Sequence, residues 1–450
     1  MGRGPNSSLV LDDGARVGVV GGGPAGSLFS YFLLQVAERV GLDLQVDVYE
    51  WRDFKRPGPA GCNMCGGIVS ESLVESLAAE GINLPPTVVR RAIDSYVLHM
   101  DVGTVRFETP LHEMRIASAH RGAGPRGTTE LKWESFDGFL LELAQQKGAR
   151  VVRGRVDDVA LRDGRPQVRT RDGETASYDL LVPAVGVNSK ALDLFKQVAP
   201  DYRPPRTRKT YICEFHLGQD VVEACLGSSM HVFLLNIPRL EFAALIPKGD
   251  HATLCLLGRD IDQPLVDSFL AADEVRACFP PGQGVPKPAC RCWPHISSQG
   301  AVNPFADRVV FVGDCGVTRL YKDGIGAAYR TAKAAAVTAV FEGISASDFR
   351  RRYWPTCKAM EADNRLGEVV FAITRQIQRT RLARRGVVRV VAGEQSRDGA
   401  RRRMSRMLWD TFTGSAPYRS VFMRGFHPAF ISQLIRDLTV GALSSRTQRS

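Results

Sequence analysis

The hydrophobic pattern opens with a short apolar run, Arg16 to Val20, that stops at Gly21-Gly22-Gly23-Pro24-Ala25-Gly26. Such a run bounded by glycine reads as a buried strand and a tight turn. From about Pro24 to Val40, Leu28, Phe32, Val36 and Val40 recur every four residues and predict a helix. Val46 to Tyr49 is then a second strand, closed by Glu50. Strand, turn, helix and strand make a βαβ start. Ser135 to Gln146 carries Phe136, Leu140 and Leu143 at helical spacing, and Arg150 to Arg153 and Tyr178 to Val182 are strand-like. Beyond Leu192 the pattern changes to apolar runs punctuated by glycine and proline: Tyr211 to Leu217, His231 to Leu235, Phe242 to Ile246 and Ala252 to Leu257. These predict an antiparallel sheet. The α/β pattern returns at Val309 to Val312, and from about Asp348 the chain reads as helices.

The expected fold class is α/β, a nucleotide-binding lobe with an inserted antiparallel β-sheet lobe for substrate and a helical C-terminal region. The division this implies is a polar tail at 1–14 and nucleotide-binding segments at 15–90, 121–190 and 296–345. The inserted lobe takes 91–120 and 191–295, and the helical basic region 346–450.

Composition narrows this picture. With 44% hydrophobic and 24% charged residues in 450, the chain is an ordinary globular mixture. It has no run of eighteen apolar residues, and Met1 to Leu11 lacks a signal-peptide pattern. A cytoplasmic protein with mainly reduced cysteines is expected. The net charge of +11 is concentrated, because eleven arginines fall between Arg375 and Arg406 against only Glu394 and Asp398. Aromatic interleaving suited to stacking on bases is absent there, so no nucleic-acid partner is expected.

Gly21, Gly23 and Gly26 form a Gly-x-Gly-x-x-Gly pattern, whose glycines permit a tight turn, close approach of a diphosphate and close packing of helix on strand. Pro24 and Ala25 open the helix whose N-terminus would face the anion, and Glu50 stands where a ribose hydroxyl would bind. Gly122, Gly124 and Gly127 repeat the spacing without a clean βαβ context.

A second signature lies far downstream. Arg308-Val-Val-Phe-Val-Gly-Asp-Cys-Gly-Val317, then Tyr321-Lys-Asp-Gly-Ile-Gly-Ala-Ala328, resembles the closing motif of FAD flavoproteins. The resemblance implies that Gly313 and Asp314 hold the ribityl chain, and that Gly324, Ile325 and Gly326 let backbone approach the flavin ring. The third motif, Gly61-Cys62-Asn63-Met64-Cys65-Gly66-Gly67-Ile68, closely resembles the Cys-x-x-Cys-Gly-Gly segment of the geranylgeranyl reductase family, FAD-dependent oxidoreductases of the flavin hydroxylase-like fold. The family resemblance spans roughly residues 15 to 345. It implies that Cys65, Gly66 and Gly67 run along the isoalloxazine. Read on residues alone, the cysteine pair is also open to a dithiol centre or half a zinc site, although Cys290 and Cys292 have the wrong spacing for a second half and no metal ligands are expected.

Two positions depart from the family. Trp133 replaces an arginine expected to reach FAD, so Lys132, Arg121 or Arg126 is needed as the substitute charge. Val185 replaces an aspartate in Ala184-Val-Gly-Val-Asn-Ser189, which leaves the reductant open between NADPH and another donor. The implied activity is reduction of carbon-carbon double bonds in a prenyl, lipid-like substrate by hydride from reduced FAD, with Cys65 as the candidate to assist proton transfer. Its rivals are a flavin monooxygenase of an aromatic or polyketide-like substrate and an electron-transfer flavoprotein acting on quinone. The last expectation concerns location. Arginines from 375 to 406, followed by Met404, Met407, Leu408, Trp409 and Phe412 and by Val421, Phe422, Phe426, Phe430, Ile431, Leu434 and Leu438, suggest attachment to an anionic membrane surface. The competing reading packs those apolar residues on the FAD lobe and leaves the arginines as a solvated face.

Overall fold

The structure is a computed structural model that describes residues 9–58, 61–62, 65–108, 116–126, 134–397 and 402–425. It divides into two compact units, the first drawn from 1–63, 121–208 and 295–362, the second from 64–120, 209–294 and 363–450.

The first unit is a Rossmann-type layer structure. Its main sheet runs, edge to edge, Phe305–Ala306, Val309–Val310, Leu180–Pro183, Ala15–Val20, Leu44–Tyr49 and Arg150–Val152. Every pairing is parallel except the first. Strands of a parallel sheet are covered on both faces, which explains why these read as continuous apolar runs rather than alternating ones. The helix Pro24–Arg39 is buried through its first ten residues, and it packs on the alanine-rich helix Gly324–Phe341, where Phe32 meets Tyr329 edge-on at 5.4 Å. Residues 191–208, expected in the inserted lobe, belong here. The cause is aromatic packing: Phe195 joins the core around Tyr178 and Phe311, and Tyr202 stacks on Phe311 at 3.8 Å.

The second unit is built on a seven-stranded sheet in the order Cys290–Cys292, Tyr211–His216, His251–Gly258, Leu240–Lys248, Ser229–Phe233, Ser95–Met100 and Gly103–Glu108. All neighbours are antiparallel except Ser229–Phe233 and Ser95–Met100. One face carries Tyr211, Cys213, Phe215, Leu245, Leu254 and Leu256 against Leu265, Val266 and Phe269 of the helix Gln263–Leu270. Residues 64–90, expected with the cofactor lobe, join this unit because Ile68–Val69 pairs with Ile116–Ser118.

The helical C-terminal region also packs on this sheet from residue 363 onward. Phe371 stacks on Phe242 at 5.9 Å, and Trp409 meets Tyr96 at 4.8 Å while its indole N–H donates to Glu71 at 3.2 Å. Met404, Trp409, Phe412 and Val421, expected to enter a membrane, are buried instead. The reason is that a helix's apolar stripe serves a core as well as a bilayer, and here a sheet face is available. Part of the arginine charge is internal too, since Arg384 is 5% exposed and bonds Asp101, and Arg375 pairs with Glu241. Arg381, Arg385 and Arg389 remain on one exposed face of the helix Arg381–Gln395. Phe426, Phe430, Ile431, Leu434 and Leu438 lie outside the described residues. Among the described residues no helix is long and apolar enough to cross a membrane.

Candidate functional site

The first glycine motif forms the turn between a central strand and the long first helix, and its side-chain-free positions have steric causes. Gly21 has φ +112°, and a Cβ there would stand 2.5 Å from the Ala184 carbonyl oxygen. At Gly26 a Cβ would overlap the Gly21 carbonyl. Gly23 caps the helix and Pro24 occupies its first turn, which holds no acidic side chain. The amides of Ala25 and Gly26 therefore lack intrahelical acceptors and offer donors and partial positive charge to an anion.

Glu50 ends the neighbouring strand at this turn. Its carboxylate accepts from the Gly22 amide at 2.9 Å and the Arg52 amide at 2.8 Å, while burial raises its carboxyl above the ordinary glutamate range. Oriented from behind by two amides, it keeps lone pairs for a hydroxyl donor.

The downstream motif comes to the same helix. Gly313 has φ +71°, and a Cβ on it would be 2.5 Å from that of Ala25. Its amide donates to Thr331 at 3.0 Å. Asp314 is solvent-accessible between the buried Gly313 and Cys315. Desolvation by the surrounding protein raises its carboxyl, opposed by a hydrogen bond from Thr318 and by the charge of Arg121. A Cβ at Gly324 would lie 3.7 Å from Thr318 Oγ1 and 3.9 Å from Asp314 Oδ1, so the N-terminus of the helix Gly324–Phe341 opens beside that carboxylate. Ile325 is buried in this first turn, which again has no acidic residue. Gly326 has a second duty, because any side chain there would overlap the Asp323 carboxylate. Asp323 adopts φ +52° and binds Arg319 at 3.1 Å and Arg330 at 2.5 Å, which fixes the loop that precedes the helix.

Of the candidate cations among the described residues, Arg121 is the one whose charge acts on Asp314. It forms a two-pronged bond to the fully buried Asp137, with Nη2 to Oδ2 at 2.8 Å. Lys132 and Trp133 lie outside the described residues. The repeated glycine spacing at 122–127 serves backbone packing: Gly122 abuts the Gly61 carbonyl, and the Gly124 carbonyl accepts from the Gly58 amide at 2.8 Å.

In the second unit, Cys65 is half-buried and its sulfur accepts from the Gly67 amide at 3.4 Å. Gly67, at φ +70°, lies so close to the Ala119 carbonyl that a Cβ would overlap it, and that Cβ would stand 3.1 Å from Lys248 Nζ. At Gly66 a Cβ would stand 3.0 Å from Cys255 Sγ and 3.4 Å from Ile246. This loop therefore covers the sheet face opposite the apolar core. That face carries a buried ion pair absent from the expected site, Lys248 Nζ to Glu214 Oε1 at 3.7 Å, with Thr253 donating to Glu214 at 2.7 Å. His120 stands near Lys248. Burial holds it well below the ordinary histidine range, and its Nε2 has no hydrogen-bond partner among the described residues. The signal in the sequence was three polar residues, Glu214, Lys248 and Thr253, inside otherwise apolar strands. All ten cysteines are free thiols.

The first-unit geometry fits an FAD: a glycine cradle that Cβ atoms would fill, two helices with no acidic residue in the first turn, and the Glu50 and Asp314 carboxylates beside them as acceptors for hydroxyl donors.

Comparison with known proteins agrees. No protein-family model matches the chain. Geranylgeranyl diphosphate reductase of the cyanobacterium Synechocystis is 24% identical over 358 residues, 72% of this chain and 75% of that protein. A geranylgeranyl bacteriochlorophyll reductase-like protein from Thermoplasma acidophilum superposes with a TM-score of 0.62 at 14% identity, covering 92% of this chain and 98% of that one. An HpxO variant from Klebsiella pneumoniae complexed with FAD gives 0.58 at 16% identity, covering 90% and 99%. Halogenase PltM gives 0.57 at 11% identity, covering 97% and 93%, so the fold alone is common to several chemistries. Together with the Cys62-x-x-Cys65-Gly66-Gly67 motif and the two glycine signatures, these likenesses make the chain similar to geranylgeranyl reductases, on a fold shared with other FAD-dependent oxidoreductases.

Proposed function

We propose that this protein saturates carbon-carbon double bonds of a prenyl, geranylgeranyl-type chain. The observation that carries the reading is the Cys65-Gly66-Gly67 loop laid over a sheet face where the apolar Ile246 adjoins one buried ion pair. An isolated trisubstituted alkene accepts hydride poorly, so a proton must reach the bond before or with the hydride. When bound, reduced FAD supplies that hydride. The chain supplies the proton and the dry surroundings. Cys65 is the candidate proton donor, and Lys248, 1% exposed beside Gly67 with Glu214 behind it, is placed to restore a proton to the loop. Glu50, Asp314 and the amides of Ala25 and Gly26 would hold the cofactor's hydroxyls and diphosphate.

The test is anaerobic. Dithionite-reduced holoprotein is mixed with geranylgeranyl diphosphate and the product weighed by mass spectrometry. Gain of two hydrogens per saturated bond, with reoxidation of the flavin, is the expected result. Failure to reoxidise, with oxygen consumption and a hydroxylated product when aromatic substrates are offered in air, would replace this reading with a monooxygenase. Offering NADPH, NADH and reduced ferredoxin in turn identifies the donor that Val185 leaves open.

A further inference from the structure

The apolar face of the seven-stranded sheet contains one polar cluster. His99 Nε2 and His231 Nδ1 are 2.9 Å apart, and Cys278 Sγ lies 3.4 Å from His231 Nδ1 and 3.7 Å from His99 Nε2. These residues are 6%, 7% and 2% exposed. They come from three places. His99 and His231 stand on the parallel neighbours Ser95–Met100 and Ser229–Phe233, with Phe233 opposite His99, and Cys278 follows the short helix Asp273–Arg276. Around them are Phe233, Phe269, Val275 and Phe279. A buried polar cluster in such a place needs a partner to offset its desolvation.

The spacing suits a tetrahedral ion. Zinc bonds of about 2.0 Å to nitrogen and about 2.3 Å to sulfur put neighbouring ligand atoms roughly 3.3–3.6 Å apart, close to the three separations seen. The outer sides of the rings are tied as metal-bound imidazoles are: His99 Nδ1 lies 3.2 Å from Thr104 Oγ1, and His231 hydrogen-bonds the Leu226 backbone. When both outer bonds use ring N–H groups, His99 Nε2 and His231 Nδ1 turn lone pairs toward each other and the sulfur, the arrangement a cation requires; with Thr104 donating to His99 instead, the two rings form a neutral hydrogen bond.

We propose that His99, His231 and Cys278 form a buried zinc site that ties two strands and the turn after Asp273–Arg276 together, with the fourth position open to a further donor. The set mixes imidazole and thiolate, a combination that selects zinc over magnesium or calcium. It lies on the sheet face opposite the Cys65–Gly67 loop, so it is independent of the proposed reduction.

Elemental analysis of purified holoprotein from zinc-supplemented cells should find about one zinc per chain. Cys278→Ser and His231→Gln should each lose it while keeping the flavin's yellow colour. Should those variants fail to fold, cobalt titration of chelator-treated wild-type protein still decides. A thiolate-to-cobalt charge-transfer band with tetrahedral visible absorption, displaced by one equivalent of zinc, supports the site. Zinc-free wild-type protein with no cobalt band would overturn it, leaving a neutral pair in which Thr104 donates to His99. Zinc retained unchanged by both Cys278→Ser and His231→Gln would overturn it equally, since the metal would then be elsewhere.

Discussion

The two units handle charge in opposite ways. In the first, Glu50 and Asp314 sit at strand ends, where turns and helix N-termini leave backbone amides to steady or face them. In the second, Glu214 lies within one strand and Lys248 closes another, and the two are paired beneath the loop that covers the sheet. Charges steadied by backbone amides at turns can be exchanged with a ligand at little cost to the fold, whereas charges paired under a packed loop are bound to each other and are part of the fold.

The sharpest test of the first half is steric. Gly26→Val drives a side chain into the Gly21 carbonyl, and we expect colourless protein with FAD affinity reduced by at least about 100-fold, or about 3 kcal/mol, measured by flavin fluorescence quenching. The second half is tested by a double-mutant cycle in urea. Lys248→Met alone should cost about 3–5 kcal/mol by stranding Glu214, while Lys248→Met with Glu214→Leu should recover most of it. If the single change is harmless, the pair is solvated and the contrast between the units fails. Asp314→Ala should spare the stability of the apoprotein yet weaken FAD by about 10-fold, the worth of a hydrogen bond to a charged group. A pH series refines this. Burial and desolvation raise the Glu50 and Asp314 carboxyls, so as pH falls they protonate earlier than ordinary carboxylates and stop accepting from cofactor hydroxyls. FAD binding should therefore be full at neutral pH and begin to weaken on acidification above the pH at which a free glutamate titrates. The smallest effect per side chain concerns the exposed Arg381, Arg385 and Arg389, which we propose meet an anionic surface. Changing all three to glutamate should lower co-sedimentation with anionic vesicles by about 1 kcal/mol per residue, with no change for neutral vesicles. Equal recovery in the supernatant for both lipid types would remove the membrane from the proposal.

The same contrast decides what was legible beforehand. Gly21 to Gly26 and Gly313 to Gly326 are compact motifs whose chemistry is local, so spacing with its βαβ context placed the first, and resemblance to the flavoprotein closing motif the second, on turns before helices. Lys248 and Glu214 are 34 residues apart and adjoin only through the register that sets Glu214 opposite Thr253 and Lys248 opposite His251. No short window contains that pairing. Arg121 escaped assignment for a related reason, since it reaches Asp137 from 16 residues upstream, across residues outside those described. Trp409 and Phe412 misled because an amphipathic stripe reports that a helix buries one face and not what covers it.

The parallel pairing of Ser95–Met100 with Ser229–Phe233 carries a consequence for biogenesis. Ser95 and Ser229, hydrogen-bonded at 2.7 Å, are 134 residues apart in the chain. During synthesis the hairpin of Ser95–Met100 and Gly103–Glu108 must wait, one edge unpaired, until its partner strand is made. Neither unit is continuous, and the last described helices of the second unit lie beyond residue 400, so its core closes only after those helices have been made. A chain with this order of assembly should fold slowly, depend on chaperones when overproduced, and aggregate when truncated before Tyr418.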